Sequence, residues 1–117
     1  MSTQIRITYR DMNPEMLCDE MRGLVQKQGI IAGEAKLQTY PLPSGATQSR
    51  VTMVFKTQTG QEEEQKECGG AHIIGSPTTA GETKLLLDLD ENLLPKERIS
   101  SFQENLVFIL GSYELKW

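Results

Sequence analysis

At 117 residues the chain suits one domain with its own core, and 38% hydrophobic against 24% charged residues is a globular composition, not a disordered one. The net charge of −4 repels phosphate backbones at long range, which argues against nucleic acid as the main partner. No apolar run approaches the roughly 20 residues of a membrane-crossing helix. The opening residues MSTQIRITYRD hold no apolar stretch of the secretory kind. Two cysteines, Cys18 and Cys68, are too few for a disulfide framework. The expectation is therefore a cytoplasmic protein with reduced thiols, a Cys18–Cys68 bridge being the alternative, and a single domain over residues 1–117.

In chain order, the first strand reads Gln4 to Arg10, with Ile5, Ile7 and Tyr9 alternating against polar neighbours. Asn13-Pro14 then opens a helix predicted over about 14–28: Asn13 suits the N-cap and Pro14 the first helical turn. Leu17, Cys18, Met21, Leu24 and Val25 fall on one stripe of that helix. Gly29 fits the left-handed position after it, with Ile30 making the accompanying apolar contact. A meander follows. Ala35, Leu37 and Thr39 alternate with Lys36, Gln38 and Tyr40, and Val51, Met53 and Phe55 alternate with Arg50, Thr52, Val54 and Lys56. Turns are predicted at 41–45 and at Thr59-Gly60, and the Glu62–Glu64 run reads as a solvated loop or strand end. A short strand takes in Ala71 to Ile74. A loop from Gly75 to Gly81 follows, then a strand with Leu85, Leu87 and Leu89 on one face. A second helix runs from near Pro95 to before Gly111 on a stripe of Ile99, Phe102, Leu106, Ile109 and Leu110, with Phe108 pointing away. Residues 113–117 alternate again and read as a last strand.

The order is β-α-β-β-(β)-β-α-β. Strands with one apolar and one polar face fit a mostly antiparallel sheet covered on one side. The fold class expected is α+β: a two-layer sandwich with two amphipathic helices on one sheet face, resembling in pattern an elaborated ferredoxin-like arrangement.

Three places carry chemistry. The first is Glu67-Cys68-Gly69-Gly70-Ala71-His72, where a thiol meets the only histidine. If the glycines bend the chain sharply, His72 can act as base to a Cys68 nucleophile, and backbone N–H groups can approach an anion. If the stretch is extended, the two residues share a face about 13 Å apart, and the glycines mark a bulge. Glu67 beside the thiol raises its pKa. Metal is not expected, because Cys68 and His72 offer two ligands where zinc wants three or four. The second place is Asp88 and Asp90, two carboxylates on one strand face. They can serve acid–base chemistry or Mg²⁺, or, as the simpler reading has it, end the strand, with Asp90 or Asn92 capping the second helix.

The third place is the polar face of the sheet. Its outward residues hold seven of the twelve Lys and Arg, among them Arg6, Lys56, Lys84 and Lys116, but only Asp88 and Glu114 as acids. Tyr40, Val54 and Leu86 add apolar spots. The binding candidates are Arg6, Tyr40, Lys56, Lys84 and Leu86. RNA-reading sheets stack two or three bases on aromatic residues, and this face offers Tyr40 alone. With no complete catalytic set, the sequence leads to a non-enzymatic, cofactor-free module that binds a protein or small ligand as a homodimer. The alternatives are a small enzyme using Cys68 and His72, or weak RNA or anion binding by the sheet face.

Overall fold

The computed structural model describes residues 2–57, 66–76 and 82–114. The Thr59-Gly60 turn, the Glu62–Glu64 run, most of the 75–81 loop and the end of the last strand, with Lys116, lie outside the described residues. The elements are β1 (Ser2–Arg10), α1 (Pro14–Lys27), β2 (Ile30–Ala32), β3 (Lys36–Pro41), β4 (Thr47–Thr57), β5 (Glu67–Gly75), β6 (Glu82–Asp90) and α2 (Lys96–Leu110). A 3-10 turn, Gly111–Tyr113, follows.

The strands form one six-stranded antiparallel sheet in the order β1-β6-β5-β4-β2, with β3 also on β4. β2 takes Phe55 to Thr57 of β4 and β3 takes Thr47 to Thr52, so the two share one sheet edge. β1 and β2, joined through α1, lie at opposite ends with β6, β5 and β4 between them. The fold is thus α+β, as the alternating strands and two amphipathic helices imply.

One apolar cluster joins the inward side chains of the strands to both helices. Ile5 and Tyr9 of β1, Val51, Met53 and Phe55 of β4, Ala71 and Ile73 of β5, and Leu85, Leu87 and Leu89 of β6 enter it. All five stripe residues of α1 are buried. On α2, Ile99, Phe102, Leu106 and Leu110 are buried while Phe108 is 89% exposed. Asn13 caps α1 as expected: its Oδ1 accepts from Met16 N at 2.8 Å. Gly29 has φ +72 after the helix.

Four local expectations need correction. Ile30–Ala32 is a strand of its own, because β4 runs far enough to give it a partner. Leu37, expected inside, is 51% exposed. It does face the helix layer, but at the sheet rim beside Asn13, Pro14 and Glu15, where a small cleft replaces core. The second helix starts after Pro95 with no side-chain cap. Asp90 serves the turn before it, accepting from Asn92 N at 2.9 Å. Finally, Tyr113, expected in the last strand, belongs to a 3-10 turn, and among the described residues Glu114 alone bridges to Tyr9.

Candidate functional site

β5 carries the Cys68–His72 stretch in extended form. Lys56 pairs with Glu67 and Phe55 with Gly69, so Cys68 is the extra residue of a β-bulge. The bulge reverses the side-chain phase. In an unbroken strand Cys68 and His72 point the same way. Here Cys68 turns into the core at 0% exposure, and His72 is exposed on the opposite face. Thiol and imidazole are therefore not brought together. Gly69 makes the bulge possible: its φ is +157, and a Cβ there would sit 2.1 Å from the Asp88 carbonyl oxygen.

Burial raises the Cys68 thiol pKa, with Asp90 and Glu67 adding to the rise and its own backbone hydrogen bond and Arg98 opposing it. Burial likewise raises Cys18. Both thiols are free. Among the described residues, no three His, Cys, Asp or Glu side chains gather as a metal site requires.

The open face of the sheet is organised by register. One cross-strand row reads Arg6, Leu86, His72, Thr52 and Lys36. The next reads Thr8, Lys84, Ile74, Arg50 and Gln38. Where these rows cross β1, β6 and β5 there is a cavity of about 380 Å³, lined by Arg6, Thr8, His72, Ile74, Lys84 and Leu86. That volume lies in the range of small-ligand pockets. Leu86 and Ile74 form its apolar floor, and Arg6 and Lys84 stand diagonally across the neighbouring β1–β6 pair. Directly paired positions on neighbouring strands are about 5 Å apart and successive outward positions about 7 Å, so the two cationic side chains start from neighbouring positions on the sheet. No carboxylate occupies these two rows. Asp88 and Glu82 stand one row beyond at either end. One Asp88 carboxylate oxygen is buried without a hydrogen-bond partner.

Of the binding residues expected from sequence, the structure gathers Arg6, Lys84 and Leu86 and adds Thr8, His72 and Ile74. It separates the other two. Lys56 sits opposite Glu67 at the bulge. Tyr40 lies at the β3 edge, its ring 5.8 Å from the Arg50 guanidinium and its hydroxyl donating to Gln38. A second cavity of about 380 Å³ lies on the helix side, lined in part by Met12, Met16, Ile109 and Tyr113, but Asp19 and Glu20 border it. Its charge is opposite in sign to that of the sheet-face cavity.

No protein-family model, curated protein or solved structure matches the chain.

Proposed function

We propose that the protein is a non-enzymatic binding module, working as a homodimer, that holds a small anion with an apolar body on the open face of its sheet. The observation that supports this most is that Arg6 and Lys84 both line a cavity floored by Leu86 and Ile74. A carboxylate or phosphate monoester suits the two cations, and Arg6 can meet two of its oxygens at once. The Thr8 hydroxyl and the His72 ring supply further donors. The apolar body of the ligand covers Leu86 and Ile74, which an inorganic anion leaves wet. In this reading His72 positions a ligand and does not activate Cys68.

Calorimetric titration tests it with phenyl phosphate and hexanoate as probes and inorganic phosphate as the comparison. At least one amphiphilic probe binds more tightly than inorganic phosphate, and its affinity falls with rising salt. Lys84→Ala or Arg6→Ala weakens it roughly 10-fold or more, the value of a charge-assisted hydrogen bond. Lys56→Ala, remote from the cavity, leaves it unchanged. Equal affinity in wild type, Arg6→Ala and Lys84→Ala would remove the proposal.

A further inference from the structure

β3 lies at the sheet edge, and among the described residues nothing pairs with its outer side. Leu42 N donates to Ala46 O at 2.7 Å across the hairpin. In the antiparallel register these two residues are partners, since Pro41 faces Thr47 and Tyr40 faces Gln48. Hydrogen-bonded pairs alternate along such a ladder, so Lys36, Gln38 and Tyr40 aim their backbone groups at β4. The same alternation is seen from β4, where Val54 O accepts from Gly33 N on this edge. The outward N–H and C=O groups of β3 therefore belong to Leu37 and Thr39. Pro41 is next in that series and has no N–H to offer.

We infer that β3 is the dimer interface: it pairs antiparallel with β3 of a second copy, about a two-fold axis at Gln38. This rests on the homodimer reading above and specifies its contact. In that register Leu37 faces Thr39 of the second copy, and each pair exchanges both of its hydrogen bonds. Every outward N–H and C=O of Leu37 and Thr39 is then satisfied. A two-fold axis at Thr39 instead sets Leu37 against Pro41, whose ring cannot donate, and leaves the Leu37 carbonyl unpaired. Side chains agree with the Gln38 axis. Gln38 meets Gln38, two amides able to donate and accept. Lys36 stands opposite Tyr40, which suits a cation–π contact. Thr39 covers part of Leu37, otherwise 51% exposed at the rim. Lys36 is the only charged residue of the strand, so the pairing brings no like charges directly together. An axis perpendicular to the sheet keeps both open faces on one side, so the two anion cavities of the dimer open in the same direction.

Cysteine cross-linking and light scattering test the interface together. The native thiols are buried and do not compete. Gln38 at the axis is a non-hydrogen-bonded pair with Cα atoms about 4.5 Å apart, within disulfide range. Gln38→Cys forms a disulfide dimer under mild oxidation, and Thr39→Cys does not. Thr39→Pro removes an outward donor that β4 does not use, and turns the wild-type dimer into a folded monomer by light scattering. A wild-type monomer overturns both the dimer and its interface. A wild-type dimer in which Gln38→Cys stays uncross-linked and Thr39→Pro stays dimeric overturns the interface alone. A cross-link at Thr39→Cys in place of Gln38→Cys overturns the register.

Discussion

The Gly69→Ala substitution puts the bulge to its hardest test. A methyl group at this position falls 2.1 Å from the Asp88 carbonyl oxygen and 3.2 Å from Leu89 Cα. Carbon–oxygen contacts close at about 3.3 Å, so the two strands must part locally by roughly 1 Å. Asp88 cannot retreat cheaply, because β6 is paired along its length with β1 on one side and with most of β5 on the other. Forcing a group into such a site costs about 1–3 kcal/mol, and holding a non-glycine residue at φ +157 adds about 1–3 more. The sum, roughly 2–6 kcal/mol, is a large share of the 5–15 kcal/mol typical of a folded domain. Gly23 gives the matched control. It is exposed on α1 with nothing within 4 Å of its would-be methyl, so Gly23→Ala gains about 0.5–1 kcal/mol from helix propensity. Urea denaturation followed by circular dichroism measures both. Gly69→Ala within about 0.5 kcal/mol of wild type, beside a normal gain in Gly23→Ala, refutes the bulge geometry.

Three further outcomes follow from burial. Cys68, whose pKa burial raises, resists alkylation at neutral pH in the folded protein and reacts like a free thiol in urea; fast native alkylation, slowed by His72→Asn, would instead revive a nucleophilic role. Phe102→Ala costs about 3–5 kcal/mol and Phe108→Ala almost nothing, since the two are 2% and 89% exposed on one helix; comparable losses would mean that α2 is rotated. Tyr9 is held well above the ordinary phenol value by burial first and by the Glu114 charge second. The folded state keeps its proton and the unfolded state releases it above about pH 10. Stability is therefore fully present below that pH and falls above it, by up to about 1.4 kcal/mol per pH unit. Tyr9→Phe flattens that slope in urea titrations at pH 9 and 11, and an unchanged slope would contradict the assignment.

Where period and capping agree, the sequence reads directly into structure. The α1 stripe, the Asn13 cap, the alternation of β1 and β6 and the outward Phe108 are all local facts, and each has its counterpart in the fold. What was not legible depends on partners distant in sequence. Ile30–Ala32 is too short to show a period and becomes a strand only because β4 offers it an edge. Leu37 has the pattern of a buried residue, but it stands where the helix layer ends. Cys68 changes face because one extra residue enters β5, and the Gly-Gly pair signals a bulge without giving its phase. The cavity is least visible of all. Arg6, His72 and Lys84 lie far apart in the chain, and only the β1-β6-β5 register places them in adjacent rows. A composition of outward residues foresees a basic face, and strand order decides which of its cations meet.

The most direct test is a nitrogen–proton correlation spectrum of the labelled protein titrated with phenyl phosphate. Binding at the sheet face shifts the amides of Arg6, Thr8, His72, Ile74, Lys84 and Leu86 together, and Lys84→Ala suppresses the shifts. Shifts confined to the helix-side groove around Met16 and Tyr113, or no saturable shift at low salt, would contradict an anion site on the open sheet.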